Sequence, residues 1–221
     1  MNRKISFIIG LVFLIIPATI FFVSVNTFSI NIPYYDEYVT ALVWIKTYLA
    51  SSVKEQFLLM FKQANEHRIL AYYSTVLIDY ILNGSVNFRQ ILIFGNLGMI
   101  LLLYILYIQF PLKKNRLLFF APVTLMLLVP QHELTNWGIV SIGGTWFYVI
   151  IFSAFLLLHK NHKFSFSGGI LLAILATFSF GGGLYTFLGG FIVLYLEPQK
   201  KFKHYLIWGA FMVGSLILFF T

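Results

Sequence analysis

The chain has no cysteine and only seven acidic residues among 221. Without cysteine there is no disulfide, no thiolate nucleophile and no cysteine-ligated metal, and the redox compartment is left open. Charge of either sign is scarce. Charged residues make up 10% of the sequence and apolar ones 60%, with a mean hydropathy of +0.88. Soluble domains carry about a quarter charged residues, so an ordinary soluble fold is excluded. The sequence also lacks a GxGxxG, P-loop, G-x-S-x-G or H-E-x-x-H pattern, and it has no internal repeat or low-complexity linker. No shift in composition marks a second domain.

What fills the chain is apolar runs, at residues 5–28, 91–110, 117–130, 138–158, 165–180, 184–196 and 205–220. A helix perpendicular to the bilayer needs about 20 residues to cross it. The third and sixth runs are shorter and are expected to tilt, thin the bilayer or turn back. The first run follows Arg3-Lys4 and outlasts the core of a signal peptide, about 7–15 residues, which predicts an uncleaved span.

Residues 165–196 pose a choice between one long helix and two short ones turning at Gly181-Gly182-Gly183. Charge decides it. With the turn, Arg3, Lys4, Lys113, Lys114, Arg116, Lys160, Lys163, Lys200, Lys201 and Lys203 share one side, ten of fifteen basic residues. Short basic segments mark the cytoplasmic face. Asp36, Glu37, Glu55, Glu66, Asp79 and Glu133 then lie on the other side, with only Glu197 inside. The net charge of +8 therefore reads as membrane orientation and not as affinity for nucleic acid. The expectation is an all-α, polytopic integral membrane bundle of about seven transmembrane helices, one domain over 1–221, with a cytoplasmic N-terminus.

Residues 31–90 form a long outer loop, too aromatic and too periodic to be disordered. Tyr38, Leu42, Ile45 and Leu49 recur at helical spacing, which predicts an amphipathic helix lying on the membrane or on the bundle. Ser52-Val53-Lys54-Glu55 has the form of a capping box and gives Glu55 a structural task. A second helix through Phe57, Leu58 and Phe61 should end near Gln63-Ala64. A third, carrying Ile69, Tyr72, Tyr73, Val76, Leu77 and Tyr80, should stop at Asn83-Gly84. Asn87 with Gln90 should cap the next span. Asn83-Gly84-Ser85 also fits a glycosylation acceptor, but the turn alone explains it.

Three polar groups carry the candidate chemistry. Asp36 and Glu37 stand side by side where the first span leaves the bilayer. A carboxylate near a helix start gains about 0.3–1 kcal/mol, which explains one acid better than two. A carboxylate in a partly dry cleft is suited to act as a general base. Glu66, His67 and Arg68 form the densest polar cluster, either a self-neutralising turn or a group in which Arg68 and His67 hold an anionic phosphate. His132 and Glu133 lie in a further outer loop, in Gln131-His132-Glu133-Leu134-Thr135-Asn136-Trp137. There they serve either as a polar turn beside an interfacial Trp137 or as further lining of the same outer site. A third alternative makes His67 a metal ligand with Asp36 or Glu66 beside it, although no spacing motif marks a metal site.

An inside first span, an acid pair opening a structured outer loop and six further spans resemble the GT-C superfamily of membrane glycosyltransferases. The closer resemblance is to poorly characterised bacterial GT-C-like proteins. The residues that carry it are Asp36-Glu37, Gln63-Ala64-Asn65-Glu66-His67-Arg68-Ile69, Glu133-Leu134-Thr135-Asn136-Trp137-Gly138 and Ser179-Phe180-Gly181-Gly182-Gly183-Leu184. The third departs from the family's Glu-Asn-Trp by two inserted residues.

The resemblance implies a polyprenyl-phosphate-sugar donor with its head group outward. It also implies transfer to a cell-envelope glycan, lipid or protein, with Asp36 activating the acceptor, Glu37 in reserve and Arg68 with His67 on the phosphate. Some members use a divalent metal. Members usually continue beyond a shared seven-helix module, so the resemblance implies one of three things: a split protein with a C-terminal companion polypeptide, a fragment, or a minimal module. The rival reading is a non-catalytic or flippase-like subunit of a polysaccharide assembly system. A transporter places its ionisable residues near the bilayer midplane, whereas here the apolar runs hold hardly any.

Overall fold

The structure, a computed structural model, describes residues 3–109, 116–127, 133, 136–160 and 162–221. It is all-α apart from one short hairpin. Helix α1 spans Arg3–Phe28. A π-helical turn, Tyr38–Val43, runs into α2, Trp44–Ala50, and α3 covers Val53–Met60. Strands β1, Gln63–Ala64, and β2, His67–Arg68, pair antiparallel around Asn65-Glu66. The order continues with α4, Leu70–Asn83, α5, Phe88–Gln109, and α6, Arg116–Leu127. Helix α7, Gly138–His159, contains a π-helical turn at Ile142–Trp146. Helix α8, Ser165–Ser179, is followed by a 3-10 turn at Gly181–Leu184, then α9, Tyr185–Leu196, and α10, Phe202–Phe220.

Within the described residues, each apolar run of the sequence forms a helix. Four of them, Lys4–Phe28, Phe88–Gln109, Gly138–His159 and Phe202–Phe220, are long and apolar enough to cross a membrane. The helices α8 and α9 are shorter, at 15 and 12 residues, and α6 is described over Arg116–Leu127. Apolar side chains left uncovered by protein are the rule along α1 and along one stripe of α5, formed by Phe94, Leu97, Leu101, Tyr104 and Ile108. In water this surface would be unfavourable; in lipid it is the ordinary condition of a spanning helix.

The bundle has two chemically different ends. At one, His159 Nδ1 meets Glu197 Oε1, Lys200 Nζ donates to the Lys160 carbonyl at 3.2 Å, and Tyr205 Oη donates to the Leu194 carbonyl at 2.9 Å. The α7–α8 and α9–α10 connections therefore share this end, and α8 and α9 form a hairpin. The break is at Phe180, whose extended backbone ends α8. This is the turn at the triple glycine that the charge pattern predicts. The lysines 160, 163, 200, 201 and 203 gather here.

The opposite end carries the structured loop. There Arg68 reaches the carbonyl of Phe219, the His67 ring lies on Phe180, and Phe88 N–H donates to Asn31 Oδ1 at 2.8 Å. Local signals behave as the sequence predicts. Ser52 and Glu55 close a capping box, with the Ser52 N–H on Glu55 Oε2 at 2.8 Å. Gly84 takes φ +71° and ends α4, a conformation that glycine adopts without steric cost. Asn87 Oδ1 accepts from Gln90 N–H at the start of α5.

Candidate functional site

Glu37 is the most deeply buried acid among the described residues, at 1% exposure. Its Oε1 accepts from Tyr72 Oη at 2.8 Å, its Oε2 from Tyr34 N–H at 2.9 Å, and the N–H groups of Gly138 and Ile139 also point to it. Those last two are free donors at the first turn of α7. Glu37 thus caps a helix 101 residues away in sequence and ties the start of the outer loop to it. The fit is close enough that a side chain at Gly138 would collide with Glu37 Oε1. Burial pushes the Glu37 carboxyl above its ordinary value of 4.5, while the bonds from Tyr34, Tyr72, Gly138 and Ile139 pull it back. The acid pair is therefore split: Glu37 faces inward as an anchor.

Asp36 faces the other way, half-buried, into a cavity of about 320 Å³. Two donors fix its carboxylate. Trp137 Nε1–H donates to Oδ1 at 3.1 Å and Asn65 Nδ2 to Oδ2 at 3.2 Å. Each oxygen keeps a lone pair for a ligand. Burial and the Asp36 charge together push the nearby Tyr73 hydroxyl up to about 12. Asn65 reaches Asp36 because it sits at φ +52° in the hairpin turn. Tyr35, the residue before Asp36, has φ +49°. These are the two non-glycine residues with positive φ among those described, and both flank the carboxylate. Such backbone is costly for a tyrosine, and it clusters where a side chain must be aimed.

The hairpin decides which residues join Asp36. Successive side chains of a strand point to opposite faces, so His67 and Arg68 part company. His67 lines the Asp36 cavity, its ring stacked on Phe180 at 4.8 Å. Its Nδ1 is buried with no hydrogen-bond partner and abuts Gly181, where any side chain would strike it. Trp137, Phe180, Ile139 and Val140 complete the walls, with Glu66 exposed at the rim.

Arg68 turns to the far face and into a separate open groove. Its Nε and Nη2 donate to the Phe219 carbonyl at 3.1 and 3.0 Å, and its Nη1 to that of Phe61 at 2.6 Å. The guanidinium also sits over the rings of Phe178 and Phe219. His67 and Arg68 therefore line different openings. Arg68 is not among the residues lining the Asp36 cavity, because alternation along β2 sends it to the carbonyls of Phe61 and Phe219.

Glu133 is exposed, its carbonyl accepting from Trp137 N–H, and it is not part of the cavity lining. His132 lies outside the described residues. Among the described residues no three His, Asp or Glu side chains converge as a metal set. Sequence reasoning missed Asn65, Trp137 and Phe180 as cavity residues. All three stood in the segments of the resemblance, but only the fold shows that they converge. Compared with known proteins, the chain matches no family model, no curated protein and no solved structure.

Proposed function

We propose that the chain crosses a bacterial inner membrane seven times, with its N-terminus and the lysine-rich end in the cytoplasm. On the outer side it transfers a sugar from a polyprenyl-phosphate-linked donor to a cell-envelope glycan, lipid or protein. In this reading an acceptor hydroxyl enters the 320 Å³ cavity, near the small end of ligand pockets of about 300–1,000 Å³. Asp36 takes the hydroxyl proton, the oxygen bonds to the anomeric carbon, and the polyprenyl phosphate leaves with the electrons of the broken C–O bond. Trp137 and Phe180 offer aromatic walls for a sugar ring, and Asn65 with the Trp137 indole N–H holds the base. Glu37 acts as a positioning residue by pinning Asp36's segment to α7.

The observation that carries the reading is the doubly held, half-buried Asp36 carboxylate at the mouth of an aromatic cavity. Its test is Asp36→Asn, which keeps the size of the side chain and the bond from Trp137 but removes the base. Transfer to an acceptor glycan in reconstituted vesicles should fall by about 10²–10⁴-fold, the usual contribution of a general base, with unchanged protein level. Transfer at the wild-type rate would sink the assignment.

One observation favours the non-catalytic reading. Arg68 is spent on the Phe61 and Phe219 carbonyls, and no lysine or arginine is among the residues lining the cavity. A sugar-recognising subunit needs no phosphate partner there. In that case Asp36→Asn weakens glycan binding, and the wild type shows no transfer.

A further inference from the structure

Helix α4 has two apolar faces. One packs Tyr72, Tyr73 and Val76 into the core, together with Ile91, Ile139 and Ile142. The other leaves Ile78, Ile81 and Leu82 uncovered, at 57, 70 and 76% exposure. Spaced three and four apart, these three form a continuous stripe. A solvated loop helix would turn polar residues outward, and α4 does not.

The stripe continues onto a helix long enough to span the bilayer. Thr75, Ile78 and Leu82 of α4 and Ile91 and Phe94 of α5 wall a groove of about 290 Å³. Phe94 also heads the uncovered stripe of α5 that runs on through Leu97, Leu101 and Tyr104. Phe94 lies six residues into α5, about 9 Å along the axis at 1.5 Å per residue. Helix α4 runs back along α5 to that depth, well inside a leaflet whose hydrocarbon is about 15 Å thick. The polar lining, Asp79 and Gln90, sits at the α4–α5 turn, where the Asn87 N–H reaches Asp79 Oδ2. Arg89 stands exposed at the same level. The groove is thus polar at its outer end and apolar below.

We infer that α4 is inserted in the outer leaflet and that its groove with α5 holds one acyl chain of a membrane phospholipid, the head group lying near Arg89 and Gln90. The inference rests on α5 crossing the bilayer, as the proposed function requires. The site is lateral and separate from the Asp36 cavity.

The absence of cysteine makes the test clean. Single spin labels are placed at I78C, I81C, Y104C and E66C in phosphatidylcholine vesicles, and their collisions with oxygen and with a water-soluble nickel chelate are compared. Labels at 78 and 81 should favour oxygen, as at 104, while the label at 66 favours nickel. Nickel-dominated collisions at 78 and 81 overturn the inference. A water-like label at 104 instead sinks the spanning of α5, and with it the reading beneath. For the groove, a bimane at T75C, on the stretch of α4 farthest from the α4–α5 turn, should lose most of its fluorescence when the lipid carries bromine midway along its acyl chains. An unquenched bimane beside oxygen-favouring labels leaves α4 in lipid and overturns the seated chain.

Discussion

Neighbouring acids take opposite tasks because the backbone between them is constrained. Tyr35 at φ +49° turns the chain, Asp36 begins the π-helical turn by accepting Val39 and Thr40 N–H, and Glu37 is carried inward. Glu37→Ala leaves the donors of Tyr34, Tyr72, Gly138 and Ile139 without an acceptor. At about 1–3 kcal/mol per buried unpaired donor, a loss of at least about 3 kcal/mol is expected in unfolding from detergent micelles. The sign of the pH effect follows from the raised Glu37 carboxyl. Above its unfolded value, near 4.3, the folded chain still holds the proton that the unfolded chain has released. Stability therefore falls as pH rises through the window up to the raised folded value. Asp79, also raised by burial, acts in the same direction; Glu55, lowered by its capping bonds, acts in the opposite one. In Glu37→Gln the decline should be shallower, as unfolding midpoints across a pH series would show.

At the scale of elements, what could be read in advance was local. The Ser52/Glu55 box, the Asn83-Gly84 stop and the Asn87 cap each act within four residues or fewer, so the sequence carries both partners side by side. What could not be read was tertiary. Glu37 caps α7 from 101 residues away, and Arg68 caps α10 from 151. No spacing rule reports such distances.

The β1–β2 hairpin was also illegible, since two residues per strand leave no periodicity to see, yet it alone decides that His67 joins Asp36 and Arg68 does not. Arg68→Ala should destabilise the packing of α10 by about 2 kcal/mol, the range for hydrogen bonds to a charged group. On the proposed function, glycan binding in the Asp36 cavity should persist. A binding loss as large as that of Asp36→Asn would show that Arg68 serves the ligand directly. Gly181→Ala should do the reverse, pushing the His67 ring into the cavity and weakening binding while α8 and α9 stay packed. Glycan titration of the two variants separates these outcomes.

For the whole molecule, charge was the better guide than hydropathy. The runs 165–180 and 184–196, too short to be sure spans, left the number of crossings open, but the positions of ten basic residues predicted a hairpin, and His159–Glu197 with Lys200–Lys160 closes it. Seven crossings require K163C and K201C to react with a membrane-impermeant maleimide from the same side, and E66C only from the other. Opposite reactivity of 163 and 201 would overturn the proposed topology.

The bond from Arg68 to the Phe219 carbonyl also sets a schedule for synthesis. At about 5–20 residues per second, the ribosome needs roughly 8–30 s to travel from one to the other. Until α10 emerges, the guanidinium has no such acceptor, and the hairpin that carries Asn65 and His67 to Asp36 lacks one of its two anchors. The outer cavity therefore gains its second anchor only after Phe219 has been made.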